Sequence, residues 1–127
     1  LLVDLPEVVR LHSSNPADYP VTGRKLMGPT PWGAHVITQG NTWLGQSADD
    51  IEWAFPDHAL IAALGCGSCL SIPVRHEGKT LGTLNILDAA GRYTDDHLAR
   101  AATYAEGTVP LLLAAMNKPQ AGKDLPT

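Results

Sequence analysis

The chain has 127 residues, 44% of them apolar, which suits one globular domain with a single hydrophobic core. The net charge is -4 and the nine Lys and Arg residues are scattered, which argues against nucleic acid or an anionic membrane as a partner. No apolar run approaches the ~18 residues that span a bilayer. Two cysteines are too few for a disulfide framework, and no signal peptide is visible, so a cytoplasmic location is expected.

The N-terminal quarter predicts two short strands and a long loop. Leu1–Val3 is expected to end one strand, and the β-branched run Val8–His12 to form its partner after a turn. Residues 13–20 contain two prolines and predict a loop, with irregular structure continuing as far as the next helix. Loops of this length are usually functional, and Tyr19 and Trp32 supply apolar anchors that would keep this one packed.

The middle of the chain predicts three helices and one short strand. A helix is expected from Pro31 to Gln39, because proline is tolerated in a first turn, and a strand over residues 41–44. Ser47 and Asp57 are each followed by helical apolar spacing and are expected to cap two further helices. Gly65 is expected to end the second of these.

The clearest local pattern is a β-hairpin. Ser68–Val74 and Thr80–Leu87 are two apolar, β-branched segments, separated by a turn over residues 75–79 that contains glycine. Strands, a helical middle, a hairpin and a closing helix indicate an α+β fold with a mostly antiparallel sheet.

The closing helix is expected to start at Thr94 and to kink near Gly107 and Pro110. Its apolar positions alternate between spacings of four and three residues, a narrow stripe that suits pairing with another helix. The stripe consists of Leu98, Ala102, Ala105, Val109, Leu112 and Met116. Residues 118–127 are expected to be a flexible C-terminal tail.

Several segments, in this order, resemble a GAF domain. The helix and small-residue corner over residues 55–68, the triplet Ile72-Pro73-Val74 and the glycine-containing strand over residues 78–87 are similar to the second half of that family. Residues 19–25 and 30–32 resemble an uncharacterised bacterial branch of it. On these motifs the chain is identified as a member of the family over nearly its whole length.

The resemblance implies a GAF-like (profilin-like) fold, a central antiparallel sheet of about five or six strands with helices on both faces. Loops and short helices would close over a pocket on one face. The domain would cover residues 1–117, with the family's N-terminal helix missing. It implies a sensory or regulatory domain that binds an unidentified small molecule and forms a homodimer. Family members bind cyclic nucleotides, tetrapyrroles, haem, amino acids or oxo-acids, so the ligand and any cofactor stay unknown.

Two other functions are alternatives to ligand sensing. One is a cysteine-dependent reductase of the free methionine sulfoxide type, a GAF branch that shares the Phe-Pro-x-His segment. The reactive cysteine of that branch would fall near Ala62, and not on Cys66, which disfavours this activity. The other is a ligand-free dimerisation module.

The pair Cys66-x-x-Cys69 suggests either a redox site or half of a metal site. A zinc site needs two more ligands, and neither His58 nor His76 has a finger-like spacing, so no metal is expected. Two small buried thiols are the favoured interpretation. Asp57 and His58 are adjacent on a helix and do not face each other, so they are not expected to act as an acid–base dyad.

The expected ligand site has a polar floor and aromatic walls. Ser71, Thr83 and Asn85 share one sheet face by the two-residue period of strands and would form the floor, although bonding across the strands would equally satisfy them. The walls would come from aromatic and neighbouring side chains, which otherwise simply fill a small core. These are Tyr19, Trp32, Trp43, Phe55, His58 and Cys66, while Arg10, Arg24 and Lys25 are candidates for meeting an anionic ligand.

Overall fold

The computed structural model describes residues 1–4, 7–21, 23–26 and 30–116. Its centre is a six-stranded sheet in the order β3-β2-β1-β6-β5-β4, and every neighbouring pair is antiparallel. The strands are β1 (Leu2–Asp4), β2 (Glu7–Val9), β3 (Arg24–Leu26), β4 (Trp43–Gly45), β5 (Ser68–His76) and β6 (Lys79–Asp88). The predicted antiparallel sheet is confirmed.

Helices lie on both faces of this sheet, which confirms the α+β class and the GAF-like arrangement. α1 (Pro31–Gly33) passes directly into a π-helix (Ala34–Thr38). The others are α2 (Ala48–Ala54), α3 (His58–Ala63), α4 (Asp95–Gly107) and α5 (Val109–Met116). α4 and α5 are separated by Thr108, so the predicted kink near Gly107 is a break between two helices.

The β5–β6 hairpin contains the two longest strands of the sheet. Its turn consists of only two residues, Glu77 at φ 52° and Gly78 at φ 76°. Two successive residues with positive φ are typical of a type I′ turn, whose twist matches that of the flanking strands. The hairpin is therefore confirmed, but its predicted turn over residues 75–79 is too long, and both strands reach further into it.

Side chains alternate between the two faces of the sheet, and each face has its own core. Leu70, Ile72 and Val74 of β5 point to the face covered by α4 and α5, which we call the α4 face. Cys69 points to the opposite face, where it packs against buried side chains of the helical middle; we call this the α1 face. The candidate site lies on the α1 face.

The apolar stripe of the closing helices packs on the sheet of its own chain. Ala105 and Leu112 are buried in the core of the α4 face, and Leu98, Ala102 and Val109 pack against the same core. The prediction that this stripe pairs with another helix is therefore wrong for these five positions, because the sheet already covers them. Met116, the last position of the stripe, is 44% exposed.

The N-terminal quarter differs most from its prediction. The strand predicted over Val8–His12 ends at Val9, and β3 occupies a stretch predicted to be irregular. β3 has only three residues and exists because it pairs with β2, with Arg24 opposite Val9, which is a long-range effect that local propensity does not encode. Part of the predicted turn before β2 (residues 5 and 6) and the predicted tail (residues 118–127) lie outside the described residues.

Candidate functional site

Four aromatic side chains meet over the α1 face and form what we call the aromatic cluster: Tyr19, Trp32, Trp43 and Phe55. The ring of Phe55 lies 5.2 Å from that of Trp32 and 6.0 Å from that of Trp43, the latter edge-on. Such tilted and edge-on contacts between rings are the favoured geometries. Trp32 and Phe55 are buried, whereas Tyr19 and Trp43 are half-buried at the margin.

Helix caps position two of these aromatic side chains. Thr30 accepts a hydrogen bond from the backbone N–H of Gly33 at 2.9 Å, which fixes the start of the short helix that carries Trp32. Ser47 caps α2 as predicted, accepting from the N–H of Asp50 at 3.4 Å. α2 ends where Phe55 adopts an extended backbone, so Phe55 turns back onto the cluster.

At the edge of the sheet, Trp43 of β4 stacks on Trp53 of α2, with ring centroids 5.8 Å apart and planes inclined by 29°. Trp53 is 49% exposed, so this stacked pair forms the border between the cluster and solvent. Among the described strands β4 pairs with β5 alone, and it places Trp43 directly beside Ser71.

Tyr19 holds the loop between β2 and β3 against α3. Its hydroxyl donates to Oδ2 of Asp57 at 3.1 Å, and the guanidinium of Arg10 lies 4.9 Å from the centre of its ring. Burial, reinforced by the Asp57 carboxylate, raises the pKa of Tyr19 to about 12, so the phenol stays protonated and donating. Asp57 does occupy the N-cap position of α3, but its side chain makes no capping bond within the described residues, which corrects the predicted role.

Two of the three cationic side chains considered for an anionic ligand, Arg10 and Arg24, are engaged within the protein. Arg10 donates to the carbonyl of Pro20 at 3.3 Å in addition to its contact with Tyr19. Arg24 forms an ion pair with Glu7, also at 3.3 Å. The side chain of Lys25 lies outside the described residues.

Beneath the cluster, Ser71, Thr83 and Asn85 form what we call the polar row. Ser71 and Asn85 are direct partners across β5 and β6, and Thr83 is two residues from Asn85 on the same face. Ser71 accepts a buried hydrogen bond from Nε1 of Trp32 at 3.2 Å, so the row touches the cluster. Within the part of the chain that the structure describes, the buried Oγ1 of Thr83 and Oδ1 of Asn85 have no hydrogen-bond partner.

Both cysteines are free thiols. Cys69 is buried, 3.7 Å from the hydroxyl of Ser71, and burial raises its pKa to about 12. Because the thiolate is the reactive form, a thiol that is protonated at neutral pH is a poor nucleophile or metal ligand. Cys66 is half-buried and packs against the core of the α1 face. Across residues 1–4, 7–21, 23–26 and 30–116, no three His, Cys, Asp or Glu side chains are grouped as metal ligands would be.

The structure thus brings the aromatic cluster, Cys66 and the polar row to one face. His58 is half-buried at the first position of α3, where its backbone N–H donates to the carbonyl of Phe55 at 3.3 Å. Sequence reasoning missed Val36 and Leu87, which complete the apolar lining. Leu87 could have been predicted, since the two-residue period that places Thr83 and Asn85 on this face also places Leu87 there. No periodic pattern in the sequence singles out Val36.

The fold is an α+β domain with an antiparallel sheet between helices, and comparison with known families identifies its class. The family model described as GAF domain matches residues 8–106, well over half of the chain. The chain therefore belongs to the GAF domain family, and membership indicates a regulatory domain that binds small molecules. No similar curated protein was found. None of the helices in the described residues has the length and apolar character needed to cross a membrane.

Proposed function

We propose that this GAF domain is a sensory module that binds a small molecule between the polar row and the aromatic cluster. The observation that carries the proposal is the pair of buried, unpartnered oxygens, Oγ1 of Thr83 and Oδ1 of Asn85. Nine side chains would contact or border the ligand: Tyr19, Trp32, Trp43, Phe55, His58, Cys66, Ser71, Thr83 and Asn85.

The energetics favour a ligand at this place. A buried polar group without a partner destabilises a protein by about 1–3 kcal/mol, and native proteins keep few of them unless they have a role. A bound molecule that pairs with Thr83 and Asn85 would recover that free energy. The surroundings are apolar and aromatic, and a mainly apolar site with a few placed polar groups is what small-molecule sites have in common.

A regulatory output requires that the ligand favour one conformation over another. The loop between β2 and β3 is the element best placed for this, because Tyr19 is a member of the aromatic cluster and is also bonded to Asp57 at the start of α3. A ligand that packs against Tyr19 would strengthen the closed arrangement of loop and α3.

The proposal is tested by screening metabolites for an increase in the thermal unfolding midpoint, since a ligand specific for the folded state raises it. Hits are confirmed by tryptophan fluorescence in Trp53→Phe, which removes the exposed indole and leaves Trp32 and Trp43 as reporters. Asn85→Leu should reduce the shift, and Asn41→Leu, the same change at an exposed position, should preserve it. A hit that shifts Asn85→Leu as much as the parent protein would contradict a site at the polar row.

We further propose that the domain forms a homodimer through the outer surface of α4 and α5. Tyr104 of α4 is 74% exposed and Leu111 of α5 is 69% exposed, and GAF domains can dimerise. Sedimentation velocity is expected to show a dimer that Tyr104→Glu and Leu111→Glu each dissociate. A parent protein that sediments as a monomer at high concentration would contradict the dimer without affecting the ligand site.

A further inference from the structure

Among the described residues, the three strands that form the floor of the α1 face bring one charged side chain to it, Arg75 at the exposed end of β5. By strand alternation, β4 contributes Trp43 and Gly45 to this face, and β5 and β6 contribute the rest. The contributions of β5 and β6 are Cys69, Ser71, Pro73, Arg75, Thr80, Thr83, Asn85 and Leu87. The buried side chains packed above them are apolar: Trp32, Val36, Ile51, Ala54, Phe55 and Ile61.

Arg75, Arg10 and Asp57 border this face, and each is engaged within the protein. Arg75 donates to Oγ1 of Thr80 at 2.8 Å and to the carbonyl of Gly78 at 2.7 Å, while Arg10 and Asp57 both contact Tyr19. Moving an ion from water into such surroundings without a partner is far more costly than moving a neutral polar group. The face therefore selects for an uncharged molecule.

The unpartnered atoms define which polar groups that molecule needs. Oδ1 of Asn85 only accepts hydrogen bonds, so the ligand must donate to it, while the hydroxyl of Thr83 both donates and accepts. Ser71 already accepts from Trp32, so its oxygen is less available. Thr83 and Asn85 are two residues apart on one strand, with about 7 Å between their α-carbons, and a trans amide, whose N–H and carbonyl point in opposite directions, can lie between them.

We propose that the ligand is an uncharged molecule with a trans amide, whose N–H donates to Asn85 and whose carbonyl accepts from Thr83. This inference rests on the proposed function and assigns the chemical class of its ligand.

A first experiment asks whether the Thr83 hydroxyl is unsatisfied in the free protein, and Thr80 supplies the matched control. Both threonines lie on β6 and are buried, 4% and 6% exposed, but Thr80 Oγ1 accepts from Arg75 at 2.8 Å. Thr80→Val should lower the unfolding midpoint by several degrees, whereas Thr83→Val should leave it unchanged or raise it. An equal loss in both variants would show that Thr83 is already bonded and would overturn the proposal.

A second experiment uses three probes of equal shape: benzamide, benzoate and benzamidine, which are neutral, anionic and cationic. Each is titrated at millimolar concentration against ¹⁵N-labelled protein, and the Trp32 Nε1–H and Asn85 side-chain signals are followed. Benzamide should shift both signals, and Asn85→Leu should weaken its binding about tenfold, as loss of one buried hydrogen bond predicts. The two charged probes should shift neither signal.

The outcomes separate the ligand class from the existence of the site. Benzoate or benzamidine binding at this face as tightly as benzamide overturns the uncharged class but supports the site. If benzamide does not bind but a screened metabolite that has no amide binds at the polar row, the amide class is likewise overturned and the site is supported. If neither the screen nor the probes produce a ligand that depends on Asn85, both the class and the proposed function are rejected.

Discussion

The hydroxyl of Tyr19 donates to Oδ2 of Asp57 across 38 residues of sequence, at a distance of 3.1 Å. This bond joins the loop between β2 and β3 to the first turn of α3, and therefore closes one side of the aromatic cluster. The ring of Tyr19 is held from its other side by Arg10. Tyr19, which lies in the proposed site, thus attaches the loop to α3, and it is the side chain at which binding and loop order would be coupled.

Tyr19→Phe keeps the ring and removes this hydrogen bond. It is expected to lower the free energy of unfolding by about 0.5–1.5 kcal/mol, the usual net value of one hydrogen bond, and to speed cleavage of residues 13–20 by a protease. Urea unfolding and limited proteolysis measure the two effects. Tyr104→Phe is the matched control, since Tyr104 is largely exposed. Equal cleavage rates in both variants would show that the loop does not depend on Asp57.

The raised pKa of Cys69 predicts how stability depends on pH. Its thiol has a pKa of about 12 in the folded protein against an ordinary value of 9.0, so the unfolded chain loses this proton first. The stabilising contribution is fully present below pH 9 and is lost as the pH rises from 9 toward 12. The free energy of unfolding should therefore fall more steeply over this range in the parent protein than in Cys69→Ala. Parallel pH profiles would contradict the shift.

The burial of Cys69 also disfavours the reductase alternative. At neutral pH a thiol with a pKa near 12 has on the order of a thousandfold less thiolate than one of ordinary pKa, so Cys69 is not expected to attack a sulfoxide. A thiol-labelling reagent should modify half-buried Cys66 well before Cys69 in the folded protein. The purified protein should not consume free methionine sulfoxide with a dithiol reductant. Consumption that disappears in Cys66→Ser would establish the enzymatic alternative.

Local sequence signals predicted the parts of the fold that are locally determined. The alternation of Ser68–Val74 and Thr80–Leu87 predicted the hairpin, and the caps Ser47 and Thr94 predicted where two helices begin. What sequence reasoning missed depends on distant partners. The three-residue β3 exists through β2, and an apolar helical stripe does not reveal whether a sheet or another helix will cover it.

In the candidate site, too, local sequence patterns predicted some features, and features that depend on distant partners were missed. The two-residue period of strands predicted that Thr83 and Asn85 share a face with Ser71, and the register bears this out. The role of Asp57 was not predictable, because a capping position is a local signal and its actual partner is Tyr19. The π-helix over Ala34–Thr38, which contains buried Val36, also has no local signature in a segment that predicts an ordinary helix.

Ser71 connects the polar row to the aromatic cluster, and removing its hydroxyl should destabilise the fold. Ser71→Ala leaves the buried Nε1–H of Trp32 without its acceptor, so we expect a loss of about 1–3 kcal/mol in unfolding free energy. Trp32→Phe in the same chain removes the donor as well. The double variant should therefore lose less than the sum of the two single variants, with a coupling of about 1 kcal/mol measured by urea unfolding. Strict additivity would show that the two groups do not interact.

Gly45 on the edge strand lies against the ring of Trp43. A β-carbon at this position would lie 2.5 Å from the far edge of the indole, which is held by its stacking on Trp53 and its contact with Phe55. Gly45→Ala is expected to displace the ring, to destabilise the fold by about 1–3 kcal/mol, as overpacking does, and to change the tryptophan emission.

Gly107→Ala is the matched control for this glycine, since a β-carbon at position 107 meets no atom within 4 Å. Gly107 is the last residue of α4, and alanine there should stabilise the helix by about 0.5–1 kcal/mol. Urea unfolding followed by fluorescence measures both variants. A Gly45→Ala protein with unchanged stability and emission would show that the Trp43 ring moves freely, and a freely moving ring would remove Trp43 as a fixed wall of the proposed site.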